Sequence, residues 1–171
     1  MKTLYILLLA LSIMACKQEI RYTQQSPEIE TFKKSINDYK TMNWESLATH
    51  YADTAIVANN VPKEKAKSVS EAIKINKEDA EIFTWVVENE EYEMVVTDEG
   101  ETWVNFWGLW KGTMKSTNKV YTVPFHSTAR FIDGKIVEEY GYWNNSEIVS
   151  DLQALQNATD TNSETEDDVT P

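Results

Sequence analysis

Near residue 90 the apolar pattern of this chain switches period, and the switch leaves few folds open. Before it, apolar residues recur at three- and four-residue steps; after it, they alternate in long extended segments. Ser26-Pro27-Glu28 reads as a helix start, with a capping hydroxyl, proline at the first helical position and an acid on the positive end of the dipole. Ile29, Phe32, Ile36 and Tyr39 then form one stripe. Asn43 caps a second short helix whose Trp44, Leu47 and Tyr51 share a face. Residues 55–58 read as a short strand. After Pro62, Ser68 or Ser70 opens a third helix running to about Ala80, and residues 81–89 fit either a helix end or a strand.

Four β segments follow, at 92–97, 102–111, 119–132 and 135–143. Asp133-Gly134 between the last two is a strong hairpin signal. A short helix over about 146–155 closes the domain. Helices first and a strand meander second predict an α+β fold: a curved antiparallel sheet wrapped around three N-terminal helices, with the chain's one core between them.

The N-terminus carries a different signal. Lys2 precedes an apolar run over 4–14 that is too short to span a bilayer and ends at Ala15-Cys16. Leu11-Ser12-Ile13-Met14-Ala15-Cys16 resembles a bacterial lipobox. That resemblance implies a signal peptide over residues 1–15, lipidation of Cys16, a tether over 16–25 and an anchored protein in the cell envelope of a Gram-negative bacterium. Two or three acyl chains, at about 0.8 kcal/mol per buried methylene, hold where one does not. The alternative is an ordinary secreted protein whose cysteine is discarded with its leader. The side of the membrane reached is left open.

Cys16 is the only cysteine, so disulfides and thiolate metal sites are excluded. The net charge of −12, or −13 once Lys2 leaves with the leader, opposes nucleic-acid binding and leaves membrane attachment to lipid rather than charge. Residues 157–171 hold five acids, no base and one valine, and read as a disordered acidic tail beyond a domain at 26–156. The sequons at Asn144 and Asn157 are read as chance, and no repeat is present.

Tyr51-Ala52-Asp53-Thr54-Ala55, the strand Trp107-Gly108-Leu109-Trp110-Lys111-Gly112-Thr113, Asp133-Gly134-Lys135-Ile136-Val137-Glu138-Glu139 and Trp143-Asn144-Asn145 together resemble the SnoaL-like branch of the nuclear transport factor 2-like superfamily. The resemblance covers residues 27–155. It implies a cone-shaped (cystatin-like) sheet with a pocket at its open end, and pairing into homodimers through the outer sheet face. Related cyclases carry a histidine seven residues before the turn glycine and an aspartate seven after it. Those positions here hold Ser127 and Gly141.

The residues themselves leave the chemistry open. Alternation puts Trp103, Asn105, Trp107 and Leu109 on one face and Val104, Phe106, Gly108 and Trp110 on the other. An amide between two indoles suits a pocket for a mostly apolar ligand, so Trp103, Asn105 and Trp107 are expected to line it, with Tyr140 or Tyr142 adding a phenol. The same rings equally suit a core or a dimer face. His126 falls on the polar face of its strand with Thr122, Thr128 and Arg130, unless a bulge at Pro124 returns it to the pocket. Of Glu138 and Glu139 at most one points inward, where a carboxyl of raised pKa would serve as a base. His50 is expected to cap or pack, and Asp53 to order the turn after its helix. Two isolated histidines and no HExxH, phosphate loop or nucleophile elbow give no metal and no cofactor.

The expectation is therefore a lipid-anchored protein that binds a small, mostly apolar molecule, with the balance against catalysis. Two alternatives stand. One is an isomerase, cyclase or dehydratase acting on a ketone-bearing polyketide- or steroid-like substrate through His126 or Glu139. The other is an interaction module whose pocket is closed by its own tryptophans.

Overall fold

The computed structural model describes residues 21–166, with side chains to residue 158. The expected leader over 1–15, Cys16 and the end of the expected acidic tail lie outside the described residues.

The described residues open with strand β1 (Tyr22–Thr23) and helix α1 (Pro27–Lys40). Ser26 caps α1 by accepting from the Ile29 amide at 3.1 Å, and the predicted stripe buries Ile29, Phe32 and Ile36. Helix α2 (Trp44–Thr49) starts on the Asn43 cap and ends at His50. Strand β2 (Tyr51–Asn59) is longer than the predicted strand and takes Tyr51 out of the helix. An irregularity between Tyr51 and Ile56 leaves Asp53 exposed inside this strand, so it orders no turn. Next come β3 (Lys67–Ser68) and helix α3 (Val69–Ile82), whose start is a full capping box between Ser68 and Glu71.

The ambiguous stretch is a strand. Phe83, Trp85 and Val87 are buried and alternate with exposed neighbours, opening β4 (Phe83–Val96). A bulge between Glu88 and Glu91, with Asn89 at φ 53°, breaks the period and made one strand look like two segments. The hairpin strands β5 (Thr102–Met114), β6 (Val120–Ile132) and β7 (Lys135–Trp143) follow as predicted. Asp133 and Gly134 both take the positive φ that a tight hairpin turn demands, 49° and 74°. Helix α4 (Ser146–Glu166) ends the described chain.

The fold is α+β: four helices on a curved, unclosed seven-stranded sheet of order β1-β4-β5-β6-β7-β2-β3. It departs from the expected antiparallel sheet at one pair, because β2 runs parallel to β7. The connection from β2 to β7 passes through α3 and four strands, long enough for the crossover a parallel pair needs. Two segment ends also differ from expectation. Part of the tether joins the sheet, as Tyr22 and Thr23 pair with Val95 and Met94 and cover the open edge of β4. Helix α4 continues past the expected end of the domain to Glu166. Extending a formed helix lacks the cost of nucleating one, and no proline or glycine interrupts before Pro171.

The core lies between α1 and the inner face of the sheet. Phe32 packs edge-on against Tyr92, Phe106 and Phe131 at 6.2 to 6.4 Å. Of the three N-terminal helices, α1 fills this space; α3 has no buried residue and rides outside it.

Candidate functional site

At the opposite end of the sheet from Phe131 the inner face carries a box of aromatic rings. Phe83 and Trp85 come from β4, Trp110 from β5, Tyr121 from β6, and Tyr39 from the last turn of α1. Tyr39 stacks on Trp85 at 5.1 Å, and Phe83 meets Trp110 and Tyr121 edge-on at 5.7 and 6.1 Å. Gly112 makes room for Trp110: a Cβ there would stand 1.8 Å from the indole. Trp110 donates its Nε1–H to the Tyr39 hydroxyl at 3.1 Å. Desolvation lifts the Tyr39 pKa above the ordinary range, so the phenol keeps its proton and can still donate it. Trp85 is 8 % exposed, and its Nε1–H finds no acceptor among the described residues.

Helix α4 closes the box by packing Ile148 and Leu152 against it. Polar contacts add to that packing. Lys119 bonds Asp151 at 2.6 Å and Glu147 at 2.9 Å, and Tyr121 donates to Asp151 at 2.7 Å. Beside that contact lies a depression of about 300 Å³ lined by Met114, Tyr121, Lys119, Asp151 and Ala154 among others, so two members of the box's own cluster form part of its wall.

The five expected ligand residues stand outside the cone, in separate groups. Trp103, Asn105 and Trp107 stand on the outer sheet face, opposite Val104 and Phe106 in the core. Trp103 lies 6.1 Å from Tyr140. Trp107 lies 4.9 Å from His126, which stacks on Tyr142 at 6.2 Å and 14°. Asn105 donates to Glu93 at 3.2 Å. The expectation that these rings line a pocket inside the cone is thus corrected. Alternation had grouped them rightly; the polar Asn105 among them marked their face as the outer one.

His126 is outward for the reason its alternation gave. Successive pairs Leu109–Pro124 and Gly108–Phe125 keep β5 and β6 in register, so no bulge at Pro124 resets the strand. Its Nδ1 meets the Phe106 carbonyl at 3.0 Å. Glu138 shares the outer face, bonded by Arg130 at 2.5 Å and by Lys63 and Tyr140 at 2.8 Å. Burial pushes its carboxyl up, but those three donors outweigh it and hold the pKa at about 2.

Glu139 is the inward carboxyl. It accepts from Ser127 Oγ at 2.8 Å and from the Tyr51 hydroxyl, so both oxygens are engaged by neutral donors. Desolvation raises its pKa against the opposing pull of those hydroxyls. Ser127, at the position where related cyclases carry histidine, therefore serves as a hydrogen-bond donor to the acid two residues before Gly141. The imidazole of His126 lies across the sheet from this carboxyl, and the two side chains do not meet.

His50 does pack, as expected, with its Nε2 at 2.7 Å from Asp38. It also lines a second depression of about 280 Å³ between α1 and α2. No group of histidines and carboxylates able to hold a metal ion occurs among the described residues. No described helix is long and apolar enough to cross a membrane.

The sequence reading placed Tyr39 in the α1 stripe and Trp110 on the face of Val104 and Phe106 without assigning either to a site, and it did not single out Trp85. For Trp110 a signal existed, since it alternates with Val104 and Phe106. For Trp85 none did, because its strand could not be told from a helix end.

No family model and no curated protein matches this chain. Solved structures do. A "putative polyketide cyclase" of Xanthomonas campestris pv. campestris superposes with a TM-score of 0.63 at 13% identity, covering 75% of this chain and 98% of that one. An NTF2-like protein of unknown function from Burkholderia pseudomallei gives 0.57 at 13% identity over 74% and 97%. A "putative isomerase" from Bacillus subtilis gives 0.56 at 16% over 69% and 86%. At such identities the likeness establishes the fold, which is that of the nuclear transport factor 2-like proteins.

Proposed function

We propose that this chain is a lipid-anchored, envelope-facing binding protein that holds a small, mostly apolar molecule bearing one hydrogen-bond acceptor in its aromatic box. The observation that carries the reading is the unpaired indole N–H of Trp85. A buried donor left without an acceptor costs about 1–3 kcal/mol, and natural folds rarely keep one without use for it. A ligand carbonyl would meet that N–H and the undonated Tyr39 proton, while Phe83, Trp110 and Tyr121 supply apolar area. Entry would run through the depression beside Tyr121, at the edge of α4, where the ion pairs of Lys119 are exposed and contribute little each. Binding without cyclase-type catalysis is supported by the separation of His126 from Glu139 across the sheet.

The test is a tryptophan fluorescence titration of the chain from Lys17 onward with cyclohexanone against methylcyclohexane. The ketone should bind about tenfold more tightly, since one hydrogen bond to a buried donor is at stake. Trp85→Phe keeps the stack on Tyr39 and should abolish that preference. A preference unchanged in Trp85→Phe would count against the reading.

Anchoring rests on the lipobox at Leu11 to Cys16. Cells fed an alkyne fatty acid should label the protein, and Cys16→Ser should stay unlabelled; label on the serine variant would reject lipidation at this residue.

A second reading is favoured by the exposed stack of Trp107, His126 and Tyr142: self-association through the outer sheet face. Trp107 is 40% and Tyr142 52% exposed, and tryptophan, tyrosine and arginine are the residues that concentrate binding energy at interfaces. Sedimentation should show a dimer that Trp107→Asp dissociates. A monomer in both would exclude it.

A further inference from the structure

The cluster of Asp38, Ser46 and His50, where α1 meets α2, takes no part in the aromatic box. Asp38 is nine-tenths buried, at 9 % exposed. One of its oxygens, Oδ2, accepts from Ser46 Oγ at 2.6 Å and meets His50 Nε2 at 2.7 Å. A carboxylate has only lone pairs to offer, so Nε2 carries the ring proton. In the neutral ring Nδ1 is then an acceptor, and it has no partner among the described residues. The buried acid thus fixes both the tautomer and the tilt of the imidazole, as carboxylates do behind working histidines.

The groups around His50 are sorted by charge. In the same depression Lys33 is neutralised by Glu30 at 2.8 Å and lies 5.7 Å over the Tyr92 ring. Lys34, on the next position of α1, has no ion-pair partner among the described residues and is the spare cation of the cleft. Asn37, one helical turn beyond both lysines, also lines the cleft. At about 280 Å³ the cleft is near the lower bound for small-molecule sites, about 300 Å³.

We propose that this cleft is a second binding site, taking a small molecule that carries one oxyanion and one hydrogen-bond donor. Lys34 holds the oxyanion and Asn37 assists it. The donor points at His50 Nδ1. A hydroxy-carboxylate and a hydrogen phosphate both have this chemistry. The site shares no residue with the aromatic box, so either can fail alone.

The test uses the full chain in detergent with ¹⁵N-labelled histidine, titrated separately with glycolate, acetate and inorganic phosphate. Glycolate should move the His50 Nδ1 resonance and leave His126 still; acetate, which lacks the donor, should bind about tenfold more weakly. Movement with glycolate assigns a hydroxy-carboxylate, and movement with phosphate alone assigns a phosphate ester. Lys34→Gln, an exposed change that leaves Asp38 and His50 untouched, should weaken binding about tenfold. A structural staple between the helices would leave the His50 signal unmoved by all three ions. That result, or equal affinity in Lys34→Gln, would overturn the site.

Discussion

Phe106 and Trp107 are adjacent in the chain and belong to different chemistries. Phe106 is fully buried against Phe32 and Phe125; Trp107 is 40% exposed and lies 4.9 Å from the His126 ring, tilted by 32°. The same split runs through Glu138 and Glu139. The outward glutamate is held ionised by an arginine, a lysine and a phenol, while the inward one meets only hydroxyls and is pushed toward its neutral form. One face of the sheet is thus a buried, largely aromatic interior, and the other an aromatic surface laced with charge. Ring count alone does not separate a pocket from an interface. What separates them is the polarity of the residues that alternate with the rings.

The contrast breaks most sharply on stability. Phe106→Ala should cost about 3–5 kcal/mol in urea unfolding, because the void opens inside a close-packed cluster. Trp107→Ala should cost less than about 1 kcal/mol. Comparable losses would mean that the outer rings are core after all.

Gly112 tests the inner box without removing a ring. Gly112→Ala places a Cβ inside the Trp110 indole and should cost about 1–3 kcal/mol, with Trp110 displaced from Tyr39. An unchanged Trp110 environment by near-ultraviolet circular dichroism would contradict that packing.

The two glutamates give opposite pH signatures. The Glu138 pKa falls from an ordinary 4.5 to about 2 on folding, so its contribution is complete above 4.5 and is lost as pH drops toward 2. After allowance for solvent screening this is about 1 kcal/mol, and Arg130→Gln should shrink it. Glu139 runs the other way. Its pKa rises on folding, so stability is whole below the ordinary carboxylate range and declines as pH climbs through the folded value. Carboxyl ¹³C titration reads both, and identical midpoints would erase the distinction between the faces.

The smallest expected effect lies away from either face. Ser68→Ala removes one half of the α3 capping box and should cost about 1 kcal/mol in thermal unfolding, leaving the ring signals of both faces unchanged. A shift of those signals would tie α3 to the sheet more closely than its exposure suggests.

Much of this was legible before any coordinates. Helix α1, its cap and its stripe, the Asp133-Gly134 turn and the grouping of rings into two faces follow from local periodicity, which sequence carries directly. The choice of inner face did not, since it depends on which side α1 packs. Trp85 stayed hidden for a related reason. The bulge at Asn89 cuts β4 into pieces too short to show their period, and Glu81 to the residues after it suit a helix as well. The parallel pairing of β2 with β7 is a contact between distant segments that no local pattern encodes. At the N-terminus, pairing of Tyr22 with Val95 depends on an edge left open by the rest of the sheet.

The six indole N–H resonances of the ¹⁵N-labelled chain, followed while cyclohexanone is added, decide where the molecule binds. Trp85 should move downfield as it gains an acceptor, with Trp110 responding and Trp107 still. Movement of Trp103 and Trp107 with Trp85 fixed would put the ligand on the outer face and leave the inner box as plain core.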